Sequence, residues 1–187
     1  MNKSRLLRGA GIALLGGVLT GSAVKISHAK DALSELAGKY AAKSIGFLTV
    51  CSNGCSNSSP ILIQLNTASV AQGVADLKGN FCATAEAASS ATTGSSSPAT
   101  VTTKEVTGSV VSYDSVTRQA EVEFSIYSGG QCSGAVFDST GATLKATGTS
   151  HEVFSESGKL IDSIVTSYQS VSGDIAGVVD TERLTRQ

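Results

Sequence analysis

This sequence predicts an all-β chain folded as an antiparallel up-and-down barrel of about eight strands. Three observations lead there. Ala120-Glu121-Val122-Glu123-Phe124-Ser125-Ile126-Tyr127 alternates apolar and polar side chains without a break, the period-two pattern of a half-buried strand. Similar segments recur through the second half of the chain, separated by short Gly, Asp and Ser turns, as in a meander. Trp is absent and aromatics are only 5% of the chain, so the core falls to Val, Ile, Leu and Ala, while abundant Ser, Thr and Gly suit wet strand faces and tight turns. A sheet this long must close or fold over itself to protect its edges. A two-sheet sandwich is the alternative; the short hairpin connections favour the barrel, because Greek-key sandwiches need longer crossings.

In chain order, residues 1–29 read as a secretory signal. Lys3, Arg5 and Arg8 form a basic leader, Ala10 to Val24 an apolar stretch, and Ser27-His28-Ala29 a small-x-small cleavage site. Gly21-Ser22-Ala23 is a second candidate cleavage site. An uncleaved anchor fits less well, because Gly16, Gly17 and Gly21 interrupt an apolar stretch already short of the roughly 20 residues a span requires. The expected product, residues 30–187, is a single domain in the periplasm or outside the cell, with no stable membrane span after cleavage. Losing the leader removes Lys3, Arg5, Arg8 and Lys25 and leaves 10 basic against 15 acidic residues, a net of −5. That balance excludes nucleic acid and anionic membranes as expected partners, since both are recognised by clustered Lys and Arg.

Asp31 to Leu36 reads as one or two helical turns with Leu33 and Leu36 on one side. Gly38 to Val50 follows as a first strand, and Asn53, Gly54, Asn57 and Pro60 mark a loop. Ile61 to Ala75 makes a second strand, with an interruption near Asn66, and Asp76 to Asn80 turns the chain into Phe81 to Ala87. There Phe81, Ala83, Ala85 and Ala87 share a face opposite Cys82, Thr84 and Glu86. Residues 89–98, made of Ser, Thr, Ala, Gly and one Pro, read as a flexible Ser/Thr-rich loop. Val101 to Tyr113 turns through Asp114 to Thr117 into the diagnostic strand. After Gly129-Gly130, Ser133 to Phe137 is expected to pair with a strand from Ala142 to Phe154. Ser157-Gly158 signals a hairpin into Lys159 to Ser167, and Ser172-Gly173 precedes a last strand, Asp174 to Leu184.

Cys51, Cys55, Cys82 and Cys132 all lie beyond the leader, and an even number in an exported chain predicts two disulfides. Three pairings are open; the short Ser52-Asn53-Gly54 turn favours Cys51 with Cys55, leaving Cys82 with Cys132. The spacings do not give two close ligand pairs and His151 is the sole imidazole after the leader, so neither a metal nor a cofactor is expected.

Ala68 to Phe81, ASVAQGVADLKGNF, and Val153 to Arg183, VFSESGKLIDSIVTSYQSVSGDIAGVVDTER, resemble segments of small exported bacterial β-barrel proteins of calycin-like, allene-oxide-cyclase-like shape. The shared features are a Gly/Asn hairpin, a strand, a Ser-Gly-Lys hairpin and a closing Gly-rich strand. The resemblance implies the barrel fold. The Cys51 to Cys55 loop and the Ser-rich insertion depart from the group's usual pattern.

No catalytic residue is assigned, because nucleophilic catalysis needs a base beside a Ser or Cys and no Gly-x-Ser-x-Gly elbow is present. Three residues are candidates for contact with a ligand. His151 shares a face with Thr149 and Val153, a face that places it inside the barrel if those residues own the core. Asp162 sits in Leu160-Ile161-Asp162-Ser163-Ile164-Val165, apolar on both faces, where burial would raise its pKa and mark a site. Phe124, with Phe81, Ile126 and Phe137, decides whether the interior is filled or hollow. Glu121 and Glu123 alternate with core residues and are expected to face water. The expected role is a non-enzymatic exported barrel that binds a small apolar ligand, or an envelope or surface module. The alternatives are an isomerase or cyclase of the type the resemblance implies, and a protein-interaction or inhibitor module using the Cys51 to Cys55 and 89–98 loops.

Overall fold

The computed structural model describes residues 33–91 and 99–187; the predicted signal and most of the Ser/Thr-rich loop lie outside the described residues. The chain forms β1 (Gly38–Cys51), β2 (Leu62–Ala75), β3 (Asn80–Ala91), β4 (Thr100–Asp114), β5 (Gln119–Ser128), β6 (Gln131–Ser133), β7 (Val136–Asp138), β8 (Thr143–Phe154), β9 (Leu160–Ser170) and β10 (Ile175–Arg186). Eight of them close a barrel in the order β1-β10-β9-β8-β5-β4-β3-β2, each antiparallel to its neighbours. The predicted barrel is therefore the observed fold. Asn66 does not break β2, which pairs with β1 from end to end. Ser89 to Ala91 continue β3, Ser89 pairing with Thr100, so the expected loop begins later than its composition suggests.

One predicted pairing is corrected. Ser133 to Phe137 does not pair with the 142–154 strand; β6 and β7 form their own small hairpin, with Cys132 opposite Phe137, and β8 pairs with β5 instead. Gly134 adopts a φ of 61°, a left-handed conformation that glycine enters without steric penalty, and it turns the chain ahead of the Asp138 to Gly141 run. The hairpin folds over the outside of the barrel. Phe137 stacks on Tyr127 at 4.6 Å between ring centroids, and Cys132 is bonded to Cys82 on the outer face of β3. Beneath the bridge Glu105 is buried and accepts a hydrogen bond from Thr84 at 2.9 Å. Phe137 is thus an outer residue and does not fill the interior.

One end of the barrel is packed solid. Leu33 to Leu36 make a single turn closed by the Leu36 N–H on the Leu33 carbonyl, 3.0 Å. Leu36 seats among Tyr40, Ala120, Val122, Phe154 and Ile161, with Leu33, Phe81, Val110 and Leu184 around them. Phe154 meets Tyr113 edge-on at 5.5 Å, a preferred aromatic geometry, and the Tyr40 hydroxyl donates to the Leu36 carbonyl at 2.6 Å. Arg186 locks this turn to β10 by donating to the Glu35 and Ala37 carbonyls.

The disulfides are Cys51–Cys55 and Cys82–Cys132, the pairing that the short loop favours. They are the bonds of an oxidising environment. In the chain-entropy view a bridge stabilises more as the loop it closes lengthens. The sequence separations are 4 and 50 residues. Replacing Cys82 and Cys132 together by Ser should therefore lower unfolding free energy by about 4 kcal/mol, against about 2 kcal/mol for the Cys51 and Cys55 pair; chemical denaturation of the two double variants measures the difference.

Candidate functional site

Alternation decides what lies inside. Along β1 the inward residues are Tyr40, Ala42, Ser44, Gly46 and Leu48; β2 contributes Thr67, Ser69, Ala71 and Gly73, and β3 contributes Ala83, Ala85 and Ala87. All but Tyr40 and Leu48 are small. An eight-stranded barrel is just wide enough for ordinary side chains to fill it, so three adjacent strands of Ala, Ser and Gly leave space. That space is a cavity of about 280 Å3. Its opposite wall is bulky, with Val106, Val122, Phe124, Ile126 and Val165. Phe124 fits because Gly148 lies beside it: a Cβ on Gly148 would come within 2.5 Å of the ring.

The cavity is not wholly apolar. Register places Glu152 of β8 beside Ser163 of β9, Ser163 beside Glu182 of β10, Glu182 beside Ser44 of β1, and Ser44 beside Ser69 of β2. These five residues form one inward row of two carboxyls and three hydroxyls, directly above the packed end, since Phe154 and Leu184 lie two residues further along their strands. The Ser44 and Ser69 hydroxyls are 2.8 Å apart. One step away from the packed end, Asp180 stands opposite Gly46. A Cβ on Gly46 would meet Asp180 Oδ1 at 2.9 Å and the Val179 carbonyl at 2.3 Å, so glycine is what leaves room for this carboxyl.

Burial governs the ionisation of all three acids. It pushes Glu152 from 4.5 up to about 7, and the nearby Glu182 carboxylate adds to the effect. It likewise raises Glu182 to about 7, with Asp180 as the second cause. Asp180 itself is raised by burial, with Ser44 and the Thr181 backbone opposing the shift. Its Oδ1 is fully buried and meets no partner within hydrogen-bonding geometry. Both glutamates keep some uncovered surface, but it faces the cavity rather than bulk solvent, which is why desolvation still dominates. Tyr168 also lines the cavity, its hydroxyl pushed up by burial and then by Asp174 and Asp180.

Of the candidates read from sequence, Phe124 lies in the cavity wall. His151 and Asp162 project outward. Phe154 takes the inner position on β8 at 6% exposure, which puts Glu152 and Ser150 inside and His151 outside. On β9, Ile161, Ser163 and Val165 point inward, and Asp162 pairs with Arg183 at 2.7 Å with more than half of both side chains exposed. Glu121 and Glu123 face outward, as expected. The acid row escaped the sequence reading because β8 and β10 carry apolar residues on both faces. Val179 is 63% exposed and Val153 is 44% exposed, so parity alone did not say which set faced in. The usable signal was Leu184 and Phe154, each spaced by two from an acid.

No known protein family, curated protein or solved structure matches this chain.

The raised carboxyls carry a pH signature. A folded-state pKa above the unfolded value means that the folded form holds the proton more tightly, so this contribution is present below pH 4.5 and is lost as pH rises through about 7. Each of Glu152 and Glu182 should account for on the order of 3 kcal/mol across that window. Thermal unfolding is expected at higher temperature at pH 5 than at pH 8, and the Glu152→Gln/Glu182→Gln variant should flatten that slope.

Proposed function

We propose that this chain is an exported, calycin-like barrel that binds one small, largely apolar molecule inside the barrel. The observation that carries this reading is the small-residue wall: Ala42, Ala71, Ala83, Ala85 and Ala87 stand where larger side chains would fill the interior. An unfilled core sacrifices packing, and large-to-small changes in cores typically destabilise by about 2–5 kcal/mol each. A cavity kept despite that loss, just under the roughly 300–1,000 Å3 range of small-molecule sites, is best explained by a small occupant. The disulfides support export to the periplasm or the cell exterior, and the meander topology supports the calycin-like assignment.

A second reading, an acid–base isomerase, has one observation in its favour. Glu152 and Glu182 are carboxyls held near neutrality in an apolar enclosure, the condition under which a carboxyl both gives and takes protons at physiological pH. In that case Glu152→Gln stops conversion of the bound molecule without stopping its binding.

The binder reading is tested by filling the space. The neutral fluorophore N-phenyl-1-naphthylamine should bind with enhanced emission and a stoichiometry of one. Ala71→Phe or Ala85→Phe should abolish the enhancement while far-ultraviolet circular dichroism stays that of a barrel. Unchanged binding in both variants places the probe on the outside and removes the reading.

A further inference from the structure

The acid row constrains the ligand's polar end, an inference that rests on the reading of the barrel as a small-molecule binder. When ionised, a carboxylate only accepts hydrogen bonds. Among the described residues Glu152 meets no hydrogen-bond partner and Asp180 Oδ1 is buried without one. The charges that act on Glu152 and Glu182 are other carboxylates. The chain's nearby cations are committed elsewhere: Arg183 pairs with Asp162 outside the barrel, and Arg186 is held by the carbonyls of Glu35 and Ala37. Lys104 lines the cavity from β4, in the row of Ala85, Ala71 and Ala42 rather than in the acid row. The acid row thus offers acceptors and holds no positively charged donor of its own.

A bare metal ion does not fit. The oxygens of Glu152, Asp180 and Glu182 do not all come within 4.8 Å of one another; among the described residues only Cys82, Glu105 and Cys132 converge so closely, and those two sulfurs form a disulfide outside the barrel. Acceptors spread this way suit a group with several donors of its own. An ammonium has three, and Ser44, Ser69 and Ser163 line the same row. Beyond the row the wall is mostly alanine and other apolar side chains, with Lys104 at the far end of the Ala42, Ala71 and Ala85 row. We propose that the acid row seats an organic cation, so that the ligand is a molecule with a protonated amine at one end and an apolar body at the other.

Calorimetry on the full folded protein at pH 7.5 with octylamine, octanol and octanoate tests this. Octylamine should bind at least about 10-fold more tightly than octanol, with octanoate weakest. In Glu152→Gln/Glu182→Gln the amine should lose its advantage over the alcohol. Octanol equal to octylamine overturns the cation seat and leaves the binder reading standing. Octanoate as the tightest of the three also overturns it, moving the polar end to Lys104. Failure of all three ligands and of the neutral fluorophore removes both readings. Should the double variant not fold, the ranking of the three ligands on the unaltered chain decides.

Discussion

Everything described above depends on the pairing of β1 with β10. It runs from Tyr40 opposite Arg186 to Val50 opposite Ile175 and joins the two ends of the meander, so that no strand of the barrel is left as an edge. The pairing is pinned at both extremities. At one end Cys51 donates its amide to Asp174 and Cys55 to Gly173, and the Cys51–Cys55 bridge holds that loop in place. At the other, Gln187 donates to the Lys39 carbonyl and Arg186 to the carbonyls of Glu35 and Ala37. Closure is also what creates the interior chemistry, because β10 sets Glu182 between Ser44 and Ser163 and places Asp180 opposite Gly46.

Closure fixes the diameter, and side-chain size then decides how the interior is used. The packed end consumes the large residues: Leu36, Tyr40, Phe154 and Ile161. Further along, β1 to β3 turn to Ala, Ser and Gly and the interior opens. Placing three carboxyls at that transition opposes folding, since each must be neutralised or left poorly solvated. Hydrophobic residues of similar volume would have been easier to bury. Groups that weaken the fold and sit together in a cavity are a common sign of a site.

Much of this was legible in the sequence, for reasons that can be named. Strict alternation in β5 identified Ala120, Val122, Phe124 and Ile126 as core residues, and the same logic put Phe81, Ala83, Ala85 and Ala87 on one face of β3, which the barrel turns inward. The short Cys51 to Cys55 spacing pointed to the observed bridges. What stayed hidden were features whose pattern is two-sided. On β8, His151 and Val153 compete with Glu152 and Phe154 for the inside; only packing of Phe154 against Tyr113 breaks the tie. On β9, Asp162 sits between apolar neighbours on both faces, and a cross-strand Arg183 holds it outside. The β6–β7 hairpin was missed because a turn at Ser133-Gly134 looks weaker than the Asp138 to Gly141 run after it.

The most direct test of an occupied, acid-lined barrel is the mass of the protein purified from its native source, taken under native and then denaturing conditions. The account predicts the chain with both disulfides plus one small molecule, and loss of that extra mass on denaturation. A bare chain of the same mass under both conditions, from protein never exposed to competing ligands or detergent, would contradict it.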